Sequence, residues 1–158
     1  MSRPIYESED DRDNERQAAD KFRRHLEQAL IPKPESVELR EAPRLYPFDY
    51  EIIVDGKPWA LVEIKCRKNR REDYDSYMIS AEKIRGLREA AHIRNMASFL
   101  LVSWSDALGY APAVSIAERG IKSWGGRTDR NDPKDQEVVL YASNGLFTII
   151  PQKERPPG

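Results

Sequence analysis

The sequence predicts a single α/β domain built on a mixed sheet, and three observations predict it. Apolar residues recur at helical spacing from about Asp10 to Leu30 and again from Ser80 to about Asn95. Between and after these helices the apolar residues come in short bursts of strand length. Two of those bursts meet at Asp55-Gly56, a dipeptide suited to a tight hairpin turn. The resulting order of helix, three strands, helix and further strands is that of an α/β domain with a mixed sheet. At 158 residues the chain is long enough for one domain with a core. We read it as a domain over 10–150 flanked by disordered tails, 1–9 and 151–158.

The first helix carries its stripe on Ala18, Ala19, Phe22, Leu26, Ala29 and Leu30. Ile31-Pro32-Lys33-Pro34 stops it, because proline cannot continue a helix. Val37 to Arg40 is a short strand, and the proline-bracketed Ala42-to-Pro47 segment feeds Asp49. The hairpin follows. Asn69 to Tyr77 is polar and aperiodic and reads as a mobile loop, with Tyr74, Tyr77 and Met78 available to a substrate or to the core. Ser80 can cap the second helix, whose stripe is Ile84, Leu87 and Ala91 with Lys83 on its flank. Gly86 is costly inside a helix, which hints at a close packing contact. Phe99-Leu100-Leu101-Val102 has the continuous apolar character of a strand buried on both faces. A further strand is expected at Tyr110 to Ile116, then a long polar segment from Glu118 to Gln136. A final hairpin follows, from Glu137–Ala142 and Leu146–Ile150 around Ser143-Asn144-Gly145.

Composition removes several function classes. No apolar run approaches the length of a membrane span and no signal-peptide core follows Met1, so a soluble, cytoplasmic protein is expected. One cysteine, Cys66, excludes an internal disulfide and a cysteine-based zinc site, and His25 and His92 are too few and too far apart for a ligand motif. A metal here would be a hard ion held by carboxylates. With 26 basic and 27 acidic residues the net charge is −1, so the chain is not a basic coat for nucleic acid. Its distribution is uneven: Lys65, Arg67, Lys68, Arg70 and Arg71 crowd directly behind the second hairpin strand.

The hairpin also holds a polar set that a plain hairpin does not need. Asp49 opens its first strand and Glu63-Ile64-Lys65 lies in its second. Alternation puts Glu63 and Lys65 on one face and Ile64 on the other. Opposed residues share a face, so a two-residue turn with regular pairing would set Asp49 opposite Val62 and turn it away from Glu63. The two carboxylates meet only if the loop has odd length or a bulge intervenes. In the first helix, Glu15 falls within about 40° of Ala19, Phe22 and Leu26 at roughly 100° per residue. It therefore lies on the centre line of the stripe, and Asp11 shares that line.

Such a set suits phosphodiester hydrolysis, which needs an activated water and neutralisation of charge at phosphorus. Asp49 and Glu63 can hold Mg²⁺, with Mn²⁺ able to substitute, and Lys65 can orient the water or steady the developing charge. Glu15 can serve a second ion or a bound water. The basic run, Arg67, Lys68, Arg70 and Arg71, can grip the backbone without reading sequence.

Asp49, then Glu63-Ile64-Lys65 after a hairpin, then a helix, resembles the PD-(D/E)xK nuclease superfamily over roughly residues 10 to 105. The resemblance implies a restriction-endonuclease-like αβββαβ core with a mixed central sheet, to which the expected C-terminal β-hairpin is an addition. It implies Asp49 and Glu63 as metal ligands, Lys65 as the catalytic lysine, and Glu15 as the first-helix acid of resolvase- and exonuclease-like members. Lys83 falls where some members carry a polar or basic residue near the scissile phosphate. Phe48 precedes Asp49 where the motif has proline, and the segment after Trp104 has no counterpart in the shared core. The expectation is a Mg²⁺-dependent DNA nuclease, with a homodimer as the assembly usual among junction resolvases. The alternative is a catalytically silent nuclease-fold module that binds nucleic acid or a protein partner.

Overall fold

The computed structural model describes residues 9–126 and 136–152. Of the expected tails over 1–9 and 151–158, all but Glu9, which begins the first helix, and residues 151–152 lie outside the described residues, as does the 127–135 part of the polar segment.

Helix α1 (Glu9–Ala29) is followed by β1 (Val37–Glu41), β2 (Tyr50–Val54) and β3 (Lys57–Cys66), then β4 (Ser76–Ser80), α2 (Ala81–Ile93) and β5 (Ala97–Ser103). The rest of the chain adds β6 (Leu108–Pro112), α3 (Ala113–Arg119), β7 (Ile121–Gly126), β8 (Gln136–Ser143) and β9 (Thr148–Ile149). A six-stranded sheet runs β1-β2-β3-β5-β6-β9, and β4-β8-β7 form a separate three-stranded sheet. Only the central β3–β5 pair of the large sheet is parallel; its other pairs are antiparallel. The mixed sheet is present, and within the large sheet the αβββαβ order holds, with β4 of the small sheet interposed before α2.

Alternation along β3 divides the interior. Ala60, Val62 and Ile64 pack with Ala18, Ala19, Phe22 and Leu26 under α1. Leu61 points the other way, onto Leu87, Ala90 and Ala91 of α2. Beside it Leu100, Val102 and Ala111 meet Ile84, Ile116 and the inner face of the small sheet. Glu63 and Lys65 continue the Leu61 face, so they emerge where α2 begins.

Four expectations need correction. Ser76–Ser80 is a strand: Tyr77 and Ile79 are buried while Met78 is exposed, a two-residue period hidden by polar flanks. The Asn69–Tyr77 segment is pinned rather than mobile. It contains a 3-10 turn, and the Asn144 side-chain amide donates to Arg71 O at 3.1 Å and Tyr74 O at 2.7 Å. The strand expected over Tyr110–Ile116 ends at Pro112, where α3 starts, because Ala113 and Ile116 are buried at an i, i+3 spacing. Finally, β8 and β9 occupy the expected stretches but do not pair with each other. Asn144–Leu146 is a 3-10 turn, and it carries the chain from β8 in the small sheet to the edge of the large one at β6.

Gly86 faces the turn that precedes Asp49, where a methyl group built on it would sit 3.5 Å from Pro47 Cβ, an ordinary contact. Glycine is thus not sterically required there. Gly86→Ala is expected to raise stability by about 0.5–1 kcal/mol through helix propensity, which denaturant unfolding would show as a higher midpoint. A lower midpoint would mean that the Pro47 turn is displaced.

Candidate active site

Asp55 and Gly56 both have positive φ, 50° and 78°, and form a two-residue turn with Val54 opposite Lys57. Asp55 Oδ1 accepts from the backbone N–H groups of Glu35 (2.8 Å) and Ser36 (2.9 Å), which fixes the turn. Regular pairing from this turn would have separated Asp49 from Glu63. Instead Ile53 faces Pro58 and Ile52 faces Ala60, leaving Trp59 as the extra residue of a β-bulge. Pairing then resumes with Tyr50 opposite Val62. Asp49 lies one residue beyond the last paired residues, and the Lys65 ammonium feels its charge as well as that of Glu63.

Asp49 is fixed by β3 itself. Its backbone N–H donates to Val62 O at 2.9 Å, and its Oδ2 accepts from Ile64 N at 2.7 Å. The carboxylate therefore lies at the level of the residue between Glu63 and Lys65. Lys65 Nζ is 3.4 Å from Glu63 Oε1, with both side chains largely buried. From the first turn of α2, Lys83 brings a second amine beside Lys65, although the residue stays partly exposed. Its helix starts there because the Ser80 hydroxyl caps Lys83 N at 3.4 Å.

The two lysines respond oppositely to this crowding. Burial works against the Lys65 charge, but the Glu63 carboxylate, aided by Lys83 and Asp49, more than offsets it and holds the Lys65 pKa above the usual lysine value. Burial and the neighbouring Lys65 ammonium push Lys83 below that value. Lys83 is thus neutral, and nucleophilic, at lower pH than Lys65. Reductive methylation at about pH 9 is expected to modify Lys83 well before Lys65, read by mass spectrometry of the two peptides; the reverse order would overturn the assignment.

Glu15 approaches from the opposite side of the sheet. It shares a cleft with Asp49, lined also by Arg12, Glu41, Arg44 and Tyr50. Burial, with the nearby Glu41 charge, raises the Tyr50 phenol to about 12, so it stays protonated at neutral pH. Among the described residues no three of His, Cys, Asp and Glu converge into a metal-holding group. The donors at Asp49 and Glu63 are hard oxygens. Magnesium takes one or two protein carboxylates and fills its remaining positions with water and substrate phosphate, so this pair fits that ion better than a fully protein-made metal cage.

The basic run divides in two. Arg67 and Lys68 are exposed beside the site, with the Arg67 guanidinium 5.1 Å from the centre of the Tyr77 ring. Arg71 is half-buried and donates to Asn144 O at 2.9 Å, while Arg70 lies 3.9 Å from Asp106. Those two tie the loop to the rest of the domain. Tyr77 is buried against Trp104 and Phe147, with its hydroxyl lacking a protein hydrogen-bond partner. Burial raises its pKa, and the charges of Arg67, Lys65 and Glu63 reach it as well. The alternation in Ser76–Ser80 was the available signal for Tyr77. Arg12 and Arg44 were not singled out from sequence, and only the nearness of Arg44 to Asp49 could have marked it.

Comparison with protein families gives a match over residues 1–150 to the family described as phage putative PDDEXK endonuclease. Among solved structures, the 1.6 Å structure of Archaeoglobus fulgidus Hjc, a Holliday junction resolvase from an archaeal hyperthermophile, aligns with a TM-score of 0.54 at 13% identity. The alignment covers 87% of this chain and 92% of that one, and at this identity it shows a shared fold. A comparison with curated protein sequences gave no match.

Proposed function

From the premise that this chain belongs to the phage putative PDDEXK endonuclease family, we propose that it is a Mg²⁺-dependent deoxyribonuclease acting at Asp49, Glu63 and Lys65. A nuclease of the PD-(D/E)xK kind is what the family and the fold support; the metal, the preference for DNA and the site residues are our own reading. The observation that carries it is the bond from Ile64 N to Asp49, which sets one carboxylate between Glu63 and Lys65.

In this reading Asp49 and Glu63 hold the ion, with Mn²⁺ a workable replacement for Mg²⁺. When bound, the ion supplies Lewis acidity and a more acidic water. Lys65, kept charged by Glu63, presents its ammonium to a non-bridging phosphate oxygen and steadies the charge that builds there. Lys83 stands behind it as a second cation whose charge depends on that of Lys65. Glu15 orients solvent from the α1 side of Asp49. Arg67 and Lys68 hold the backbone on either side of the scissile bond, a contact that weakens with salt, and Arg70 and Arg71 keep the loop that carries them in shape.

The test is strand cleavage of linear, circular and branched DNA, with Mg²⁺ and with a chelator. Cleavage that requires the metal and is lost in Glu63→Ala is expected. Binding without cleavage on all three substrates would favour the silent module, in which the 3.4 Å Lys65–Glu63 contact serves as a structural ion pair. Cleavage indifferent to both chelator and substitution would overturn the site.

A further inference from the structure

The turn that delivers Asp49 holds a bare leucine on a rigid mount. Ala42 N donates to Asp49 O at 2.8 Å and Tyr46 N to Pro43 O at 3.1 Å, which closes the segment at its base and across its tip. Pro47 rests on α2 at Gly86. The Tyr46 ring meets buried Phe48 edge-on at 5.5 Å, and the Arg94 guanidinium lies 5.3 Å from the centre of the Phe48 ring. On this mount Leu45 is 95% exposed and Tyr46 is 50% exposed. Leu45 contributes nothing to the core, yet the segment that carries it is closed by two backbone hydrogen bonds. It also stands four residues from Asp49; its neighbour Arg44 lines the Asp49 cleft, and Arg94 lies over the Phe48 ring.

We propose that Leu45, backed by Tyr46, is a wedge that enters the base stack beside the scissile phosphodiester. The substrate class it selects is duplex DNA containing a weakly stacked step, such as a mismatch, a bulge or a branch point. Apolar side chains that enter a base step partly unstack and kink it. The energetic demand is least where pairing is already defective. Arg44 and Arg94 complement the phosphates that flank such an opened step. Preorganisation matters, because a tip that must first be ordered spends part of its contact energy on itself. The proposal rests on the nuclease reading for its substrate, but its test does not depend on cleavage.

The measurement uses the full chain in the presence of a chelator, with duplexes carrying 2-aminopurine next to a central mismatch, and with matched duplexes for comparison. The parent protein is expected to raise 2-aminopurine fluorescence on the mismatched duplex, and Leu45→Met to do the same. Leu45→Ser is expected to lose most of the rise and to bind the mismatched duplex about tenfold more weakly, as fits the loss of one apolar contact. Ile121→Ser, which removes another exposed apolar side chain on β7, serves as the control and should match the parent. If Leu45→Ser behaves as the parent does, or the parent produces no rise, the wedge is overturned. Failure of the nuclease reading would appear separately, as intact strands after Mg²⁺ is restored.

Discussion

Asp49→Asn is expected to abolish cleavage while leaving the fold intact. Asparagine keeps a side-chain oxygen that can accept from Ile64 N, so the backbone group now satisfied at 2.7 Å stays satisfied. What it loses is the negative charge that would help hold the ion. Such an ion is worth several kcal/mol to the transition state, so the rate should fall on the order of 10³-fold or more. Asp49→Ala removes the hydrogen bond as well and leaves Ile64 N–H without its acceptor, which should add about 1–3 kcal/mol of destabilisation. The pair of variants separates the two roles of the residue. If Asp49→Asn unfolds as readily as Asp49→Ala, or still cleaves at the parent rate, this account of Asp49 is wrong. Circular dichroism melts together with single-turnover cleavage rates decide it.

Lys65→Met should lower the rate by roughly 10²- to 10³-fold, the loss expected when one preorganised charge at developing negative charge is removed. Lys83 makes that loss conditional. Its pKa is depressed by its own burial and by the Lys65 ammonium beside it, so deleting Lys65 relieves the repulsion and raises it. Freed of that repulsion, the Lys83 ammonium can stand in part for the missing cation. Lys83→Met alone should therefore cost less than Lys65→Met, and the double variant more than the sum of the two. Strict additivity in the cycle would mean that the two ammoniums act independently. In Lys65→Met the methylation of Lys83 should also shift to higher pH, a readout free of catalysis.

Much of this was legible in the sequence because it is encoded locally. The stripe from Ala18 to Leu26 defines α1, Ser80 caps α2, and the apolar run at Leu100–Val102 is the central strand β5. The Glu63–Lys65 face follows from alternation alone. What escaped was decided at a distance. Ser76–Ser80 becomes a strand only because β8 supplies its partner, more than fifty residues on. The stretches of β8 and β9 look like a hairpin locally, and Asn144 sends them to different sheets through its bonds to the 71–75 loop. The meeting of Asp49 with Glu63 was a condition that sequence could state but not resolve, because no local pattern chooses between a longer turn and a bulge. Lys83 could be set on a helix flank, but its approach to Lys65 depends on how α2 crosses β3.

Trp59 gives the hairpin slack at a point well away from its chemical end. Because the extra residue lies on the turn side of Ile52, the strands from Ile52 and Ala60 onward are already in regular register. Deleting Trp59 would draw Pro58 up to Ala60 without changing which residue faces Asp49. Cleavage should therefore survive the deletion. Stability should fall, since the Trp59 ring stacks on Phe99 at 5.6 Å and aromatic pairs contribute about 0.5–1.5 kcal/mol beyond their buried area. Loss of cleavage in a deletion variant that still folds would show that the local twist imposed by the bulge aims Asp49. On the present geometry the outer end of the hairpin can gain or lose a residue while the spacing of the two carboxylates stays fixed.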